Sequence, residues 1–442
     1  MEAEELAHQV VAKLKAAGHQ AFLVGGCVRD LLLGTKPKDF DVATDARPDR
    51  IMDLFPNSGR VGAHFGVVLV RNVWAQVEVA TFRSDDEYRD GRRPESVHFE
   101  ADPRQDVLRR DFTINGMMMD PGTCEVLDYV GGQDDLRRKV VRAIGDPARR
   151  FQEDHLRLLR AIRFAARLGF EIEPATFEAI RRNHAAIAGV SAERIRDELS
   201  RILTEGGARR GFQLLDETGL LQVLLPEVAA MKGVQQPPEY HPEGDVWTHT
   251  LMLLEQLDQP SCTLAWGALL HDVGKPPTFR VAERIRFDGH VEEGVRLAHG
   301  ILVRLRFSRE DVEQIEALVD NHMKFKDVHQ MKDSTLKRFL RMPGFGEHLE
   351  LHRLDCGASH GKLDNYFFVK NKLAELSEEH LKPARLLTGA DLIAEGYEPG
   401  PLFTKILRAM EDAQLDGQIA STAEALEMVR ARWKPGMGEG DG

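Results

Sequence analysis

Long hydrophobic runs and paired cysteines are both missing from this 442-residue chain. The longest apolar segments, such as TLAWGALL, are far shorter than the roughly 20 residues that a membrane-spanning helix needs. The four cysteines are scattered and form no Cys-x-x-Cys pair, so neither a disulfide framework nor a zinc knuckle is indicated. The N-terminal segment carries acidic residues where a signal peptide carries positive charge. We therefore expect a cytoplasmic protein with no membrane partner.

Net positive charge is missing as well, since the formal charge is −12. This balance argues against a nucleic-acid partner, because binding to a phosphate backbone depends on clustered Lys and Arg. Residues 137–167 depart from the average, with ten Arg or Lys residues against three acidic ones. The basic charge is therefore local, which is typical of an electrostatic footprint for nucleic acid.

The hydrophobic pattern changes near residue 145. Before this point, strand patterns such as AFLV, DFDVAT, VVLVR and QVEVATF are mixed with helical segments, which predicts a mixed α/β region. After it, almost every pattern is helical. Breaks that contain Pro and Gly at residues 226–244 and 381–389 indicate two further boundaries. The C-terminal GEGDG is expected to be disordered.

Two aspartates in the stretch KPKDFDVATDA form the first candidate site. Asp39 and Asp41 are two residues apart in a strand pattern, so we expect both side chains on one face. Glu78, in QVEVATF, is a candidate third carboxylate from a neighbouring strand. Three such acids make a hard oxygen site suited to Mg²⁺. The preceding glycine turn at Gly26 and the side chain of Arg29 are candidates for binding a triphosphate.

A second pattern follows in FQEDHLRLLRAIRF. Asp154, Arg157, Arg160 and Arg163 recur every three residues, which predicts one helix that carries them on neighbouring positions. Asp can accept a hydrogen bond from a nucleobase amino group and Arg can donate to a ring nitrogen or carbonyl. The pair could therefore read the edge of C or A. A salt-bridged surface helix is the alternative.

Taken in order, GGCVRDLLLG, KPKDFDVATDA, VEVATFR, LRRDFTINGM and RFQEDHLRLLRAIRF resemble the bacterial class II tRNA nucleotidyltransferase and poly(A) polymerase family. The resemblance covers residues 20–205. It implies a polymerase-β-like nucleotidyltransferase head, a mixed sheet with helices, followed by an all-α neck, body and tail. It also implies template-independent, Mg²⁺-dependent transfer from CTP and ATP to the 3′ end of tRNA.

Roles carried over from this resemblance fall on matching residues. Asp39 and Asp41 match metal-binding carboxylates, and Gly26 and Arg29 match triphosphate contacts. The resemblance makes Asp154 and Arg157 the amino-acid template for the incoming base. The remaining nucleotide-binding candidates are Arg110 and Asp111 of the RRD motif, which engages sugar and phosphates, and Arg160 and Arg163, which help hold the triphosphate.

A separate histidine set occupies the second half of the chain. Its order, His, His-Asp, His, His, Asp, is similar to the HD phosphohydrolase superfamily. Such residues can bind one or two divalent metal ions, among them a transition metal, and a bound metal can act against a phosphoester. A degenerate site in an RNA-binding body is the alternative. The candidates are His249, His271, Asp272, His290, His322 and Asp355.

The predicted fold class is therefore α+β. We expect a head over residues 1–145, a neck with the base-reading helix over 146–226, an HD-type helical domain over 227–380 and a helical tail over 381–442. The predicted function is completion or repair of the CCA end of tRNA. An A-adding enzyme or poly(A) polymerase, a protein dominated by the HD activity, and a non-catalytic RNA-binding protein are alternatives. The long polar segment DDEYRDGRRPE, within residues 82–105, is a candidate loop that favours full CCA addition.

Overall fold

A computed structural model of the chain describes residues 2–60, 66–85, 97–239, 241–376, 381 and 383–433. The chain divides into two compact units. The first contains Met1–Ala230, Leu257–Cys262 and Ile301–Phe307, and the second contains Met231–Gln256, Thr263–Gly300 and Ser308–Gly442. The finer division into four domains stays a prediction.

A seven-stranded mixed sheet is the centre of the first unit. Its strand order is β3-β4-β5-β2-β1-β8-β9, and only the β2–β5 pair within it is parallel. Small pairs are formed by β6 with β7 and by β10 with β11. The strands of this unit are β1 Ala21–Val24, β2 Asp41–Thr44, β3 Ser58–Arg60, β4 Val67–Arg71, β5 Gln76–Thr81, β6 Arg83–Asp85, β7 Val97–Phe99, β8 Met117–Met119, β9 Val126–Asp128, β10 Val140–Val141 and β11 Glu171–Ile172.

The alternating sequences of the central strands explain their place in the sheet. In β5, Val77 and Val79 are buried while Gln76 and Glu78 are exposed, so one face packs and the other meets solvent. The three methionines of β8 are buried, so they pack within the head. The mixed sheet predicted from AFLV, DFDVAT, VVLVR and QVEVATF is confirmed.

Helices cover the sheet and then continue as a helical region. Helix α7 packs against α9 and α10, and α6 packs against α8. Two short 3-10 helices are at Thr113–Asn115 and His184–Gly189. The helices up to residue 230 are α1 Ala3–Ala16, α2 Gly26–Leu32, α3 Pro48–Leu54, α4 Pro103–Leu108, α5 Gly132–Arg138, α6 Pro147–Glu153, α7 Arg157–Leu168, α8 Pro174–Asn183, α9 Ala192–Thr204, α10 Ala208–Glu217, α11 Leu220–Leu224 and α12 Pro226–Ala229.

Beyond residue 230 the described chain is helical apart from one small hairpin, β12 Arg280–Val281 with β13 Ile285–Arg286. This agrees with the prediction that almost every pattern after residue 145 is helical. A 3-10 helix at His322–Asp327 directly follows α17. The helices are α13 Val246–Glu255, α14 Cys262–Leu270, α15 Lys275–Thr278, α16 His290–Arg304, α17 Arg309–Asn321, α18 Asp333–Leu340, α19 Phe345–Ala358, α20 Asp364–Glu375, α21 Gly389–Ala394, α22 Pro401–Leu415 and α23 Thr422–Arg432.

The C-terminal helices have their own apolar cluster. Tyr397 is 3% exposed within it, its hydroxyl donates to the carbonyl of Trp433 at 2.7 Å, and the Trp433 side chain packs against the cluster. Both aromatic residues therefore act in packing. The predicted GEGDG tail and most of the DDEYRDGRRPE loop lie outside the described residues.

Two further expectations concern the whole chain. All four cysteines are free thiols, as their spacing predicted. Within the described ranges, no helix combines the length and the apolar character that crossing a bilayer requires.

Candidate active sites

The paired aspartates lie at the beginning of β2. This strand begins at Asp41, and Asp39 lies two residues before its start. Phe40 and Val42 are buried whereas Asp39 and Asp41 are exposed, so the two carboxylates occupy the solvent-facing side of the alternation. The prediction that both aspartates lie inside the strand is wrong for Asp39, but the shared exposure of the pair agrees with the predicted spacing.

Glu78 lies on the strand next to the aspartates. It is the register partner of Asp41 across the parallel β2–β5 pair. The pKa of the Asp41 carboxyl is raised to about 6, mainly because surrounding protein atoms desolvate it. The negative charges of Glu78 and Asp39 add to this increase, and the positive charge of Arg110 opposes it. The three acids therefore share one electrostatic environment. In the described structure, their carboxylate oxygens do not all lie within 4.8 Å of one another.

The glycine turn connects β1 to α2 beside these acids. Val24 pairs with Asp41, and Gly25 follows with φ +75°. A Cβ at Gly25 would lie 3.3 Å from a guanidinium nitrogen of Arg110, so the backbone conformation and the close approach both favour glycine there. Gly26 begins α2. The turn thus places a glycine backbone segment next to Arg110 and close to Asp41.

Arg29 is buried and its guanidinium is engaged within the protein. It donates to Asp30 at 2.7 and 2.8 Å and to Asn115 at 2.7 Å, and its side chain is 3% exposed. Arg29 therefore ties α2 to the 3-10 turn that follows the RRD motif. Its predicted contact with a triphosphate stays a prediction.

Asp106 organises the RRD motif and was missed by sequence reasoning. Its side chain is fully buried on α4 and accepts hydrogen bonds from Arg109 and Arg110. The i, i+3 and i, i+4 spacing of these residues was the available signal. The Asp111 carboxylate instead accepts hydrogen bonds from Arg160 of α7, at 2.6 and 2.9 Å.

The base-reading region is not one helix. Helix α6 ends at Glu153, Asp154 is extended with φ −146° and ψ 106°, and α7 begins at Arg157. The prediction of a continuous helix is wrong because the Asp154 carboxylate accepts a hydrogen bond from the Leu156 N–H at 3.1 Å. A short side chain that caps the backbone two residues later competes with helical hydrogen bonding.

Asp154 and Arg157 are held separately at this break. Arg194 from α9 donates to both oxygens of Asp154, at 2.8 and 3.1 Å. Arg157 donates to Glu153 at 2.8 Å and to the carbonyl of Arg109 at 3.0 Å. The two predicted template residues are thus positioned by the neck and by the end of α4.

Arg163 faces the neck. Its guanidinium is 2.7 Å from Glu198 on α9, and both side chains are at most 6% exposed. Glu205 lies 3.4 Å from the same guanidinium. Helix α9 therefore supports α7, and Arg163 takes part in this contact. Its predicted triphosphate contact stays a prediction.

All six HD candidates converge in the second unit. Asp272 Oδ2 lies 3.1 Å from His271 Nε2, Asp355 Oδ1 lies 3.1 Å from His249 Nε2, and Asp272 Oδ1 lies 3.8 Å from His322 Nε2. Three groups of three ligand atoms in the described residues are close enough to hold a metal ion. Two consist of these candidates alone, namely His249, His271 and Asp355, and Asp272, His290 and His322, and the third is His241, Glu243 and His249.

The hydrogen bonds of the histidines engage one nitrogen of each ring and leave the other nitrogen available as a ligand. In His271, His290 and His322, Nδ1–H donates to the main-chain carbonyl three residues earlier, at 2.6 to 2.9 Å. The Nε2 atoms of these three rings and of His249 are buried and make no hydrogen bond to any described residue. Imidazoles whose Nε2 atoms are oriented in this way beside two carboxylates fit a divalent metal centre.

Three residues around this centre were missed by sequence reasoning. Lys275 is 7% exposed and lies 2.7 Å from both Asp272 and the side-chain oxygen of Gln236. Glu243 is hydrogen-bonded to His249. Lys275 follows the His-Asp pair by three residues, but nothing in the spacing of Gln236 or Glu243 indicated proximity.

Two nearby acid and histidine residues remain outside the centre. His299 is 60% exposed and pairs with Glu316, and Asp320 is 53% exposed and pairs with Lys324. These surface positions keep both residues away from the six HD candidates.

Comparisons with known proteins match the regions of the chain that contain the two candidate sites. The poly(A) polymerase head domain matches residues 21–142, the probable RNA and SrmB-binding site of polymerase A matches 169–232, and the HD domain matches 244–349. Head, neck and HD region together define a nucleotidyltransferase with an RNA-binding region and an HD domain.

Among curated proteins, the CCA-adding enzyme of Limosilactobacillus fermentum is 30% identical over 423 residues, which cover 96% of this chain and 95% of that protein. The chain therefore belongs to the family of CCA-adding enzymes. The CCA-adding enzyme of Bacillus pumilus is 40% identical over 60% of this chain, a match that spans 62% of the relative's length.

Solved structures give the same fold. The CCA-adding enzyme of Bacillus stearothermophilus in complex with CTP matches with a TM-score of 0.75 and 27% identity, covering 97% of this chain and 98% of that one. A Thermotoga maritima CCA-adding enzyme complexed with tRNA matches with a TM-score of 0.59 at 20% identity, which supports the fold alone.

Proposed function

We propose that this protein adds CMP and AMP from CTP and ATP to the 3′ end of tRNA without a nucleic-acid template, building or repairing CCA. The observation that carries the proposal is the register of Asp41 with Glu78 beside Asp39 and Arg110. The names of the relatives, which are CCA-adding enzymes, support it.

The exposed carboxylates of Asp39, Asp41 and Glu78 are hard oxygen ligands that fit Mg²⁺. When bound there, Mg²⁺ supplies activation of the attacking ribose hydroxyl and neutralisation of the leaving pyrophosphate. Arg110 faces the carboxylates, and its guanidinium can bind phosphate oxygens. The glycine turn allows a triphosphate to approach the backbone closely.

In this proposal, the residues at the break between α6 and α7 select the base of the incoming nucleotide. Asp154 offers a carboxylate that accepts a hydrogen bond from the exocyclic amino group shared by C and A. Arg157 offers donors to a ring nitrogen or carbonyl. Because Arg194 and Glu153 already hold these side chains, their positions are set before the nucleotide arrives.

Primer extension tests this proposal against its close alternatives. Purified protein with Mg²⁺ receives one tRNA that ends at the discriminator base and one that ends in CC, each with CTP, ATP or both. Addition of C, C and A to the first tRNA establishes the complete activity. Extension of only the CC-ended tRNA indicates an A-adding enzyme, and a long A ladder indicates a poly(A) polymerase. Absence of incorporation on both tRNAs contradicts the proposal.

We also propose a second activity, metal-dependent hydrolysis of phosphoesters at the HD centre. It is favoured by the four buried Nε2 atoms that make no hydrogen bond to described residues and face Asp272 and Asp355. A bound divalent metal supplies activation of water towards a phosphoester. His249, His271, His290, His322, Asp272 and Asp355 would hold it, and Lys275 places a positive charge beside Asp272.

A phosphodiesterase assay tests the second activity. Bis(p-nitrophenyl) phosphate is offered with Mn²⁺, Co²⁺, Ni²⁺ or Mg²⁺ to the wild type and to Asp272→Asn. Hydrolysis by the wild type that disappears in the variant supports an active centre. Equal rates in both proteins, or no hydrolysis with any metal, contradict it.

A further inference from the structure

One histidine of the HD centre is oriented differently from the others. His271, His290 and His322 each donate from Nδ1 to the carbonyl three residues earlier. His249 instead donates from Nδ1 to a carboxylate oxygen of Glu243, at 2.8 Å. His249 is fully buried, so this contact fixes which ring nitrogen carries the proton.

Glu243 lies in the turn that leads into α13 and is itself enclosed. Its side chain is 3% exposed, and the same oxygen accepts a second hydrogen bond, from His241 Nδ1 at 2.8 Å. The rings of His241 and His249 meet edge to face, with centroids 5.1 Å apart. His241 thus holds the Glu243 carboxylate in place, and Glu243 in turn holds the His249 ring.

The geometry points to Glu243 as a positioning residue that acts through His249 on the affinity of the HD centre for a divalent metal ion. A carboxylate acceptor holds an imidazole in the metal-binding tautomer and makes its other nitrogen a better ligand than a carbonyl acceptor does. Nε2 of His249 is buried, makes no hydrogen bond to described residues and lies 3.1 Å from Asp355. The inference rests on the second proposed activity.

Metal binding by the full chain tests this role without any enzymatic assay. Co²⁺ is titrated into the metal-free wild type, E243Q, E243A and H249A while its visible absorption band and the binding heat are recorded. E243A should weaken Co²⁺ binding by about 10- to 100-fold and E243Q by less, because glutamine keeps an acceptor but loses the charge. E239Q is the matched control, since Glu239 is exposed in the same segment, and it should bind like the wild type.

A double variant separates positioning from a general loss of structure. If Glu243 acts through His249, the E243A/H249A protein binds Co²⁺ no more weakly than H249A. Additive losses, or wild-type affinity in E243A, overturn the role of Glu243 while leaving the HD centre intact. Wild-type protein that binds Co²⁺ no better than D272N overturns the metal centre and this inference together. Thermal unfolding of each variant confirms that it is folded before the titration.

Discussion

At the scale of single residues, one partly buried and one fully buried arginine–carboxylate pair hold the base-reading region in place. Arg160 pairs with Asp111, and Arg163 pairs with Glu198. The arginine row was visible in the sequence, but its partners were not, because they lie 49 and 35 residues away along the chain. Spacing along one helix predicts which residues are neighbours on it and says nothing about which distant acid each one meets.

Loss of Arg163 should destabilise the first unit. Arg163→Met leaves Glu198, which is 4% exposed, without its main partner. Removing one member of a buried ion pair costs about 3–5 kcal/mol. Arg182→Met is the matched control, because Arg182 is 76% side-chain exposed and pairs with Glu178 on the surface, where the cost is about 0–1 kcal/mol. Urea unfolding measures both variants, and equal midpoints would contradict the structural role of Arg163.

We expect the protein to lose stability in acid when the Asp111 carboxyl becomes protonated. Burial pushes its pKa upwards, but the Arg160 guanidinium outweighs burial and lowers the pKa from 3.8 to about 2. A lowered pKa stabilises the folded state above pH 4, and this stabilisation disappears as the pH falls towards 2. The contribution is about 2 kcal/mol, of which about half is lost by pH 3.

Unfolding of Asp111→Asn in urea between pH 5 and pH 3 checks this linkage. Over that range the wild type should lose about 1 kcal/mol more than the variant. Asp134→Asn serves as control, since Asp134 is 63% side-chain exposed, and it should follow the wild type. A pH dependence of Asp111→Asn as steep as that of the wild type would show that the Asp111–Arg160 pair does not titrate as described.

At the scale of elements, local patterns predicted the strands and the motifs they carry, but not every helix end. The alternation in QVEVATF placed Glu78 on the exposed side of β5, and the parallel pairing then placed it opposite Asp41. The break at Asp154 was missed because the flanking sequences both favour a helix. Only the capping contact of its carboxylate with the Leu156 N–H ends α6 there.

The turn after the His-Asp pair packs closely against α16, so we expect substitution of Gly274 to be destabilising. A Cβ at Gly274 would lie 2.0 Å from the carbonyl oxygen of His290 and 2.5 Å from the amide nitrogen of Gly294. Gly274→Ala must therefore move the first turn of α16, which carries His290. We expect a loss of about 1–3 kcal/mol together with weaker Co²⁺ binding.

Gly300→Ala is the control for this substitution. Gly300 is also in α16, and a Cβ there meets no atom within 4 Å, so the variant should be as stable as the wild type or slightly more stable. Thermal unfolding and Co²⁺ titration compare the two variants. Normal Co²⁺ affinity in Gly274→Ala would mean that the contact does not position His290.

At the scale of the whole molecule, the two candidate sites belong to different compact units. Every head-site residue lies within Met1–Ala230, and every HD residue lies within the segments of the second unit. The sequence could predict this separation because the motifs of each site are consecutive in the chain. It could not predict Glu243 or Arg194, whose roles depend on the packing of one element against another.

The most direct test of the central claim compares Asp41→Asn with Asp272→Asn in one incorporation assay. Both proteins receive tRNA that ends at the discriminator base, together with CTP and Mg²⁺. We expect Asp41→Asn to incorporate CMP about 100-fold more slowly or worse, whereas Asp272→Asn should incorporate it at the wild-type rate. Wild-type incorporation by Asp41→Asn would contradict the assignment of nucleotidyl transfer to the carboxylates of β2 and β5.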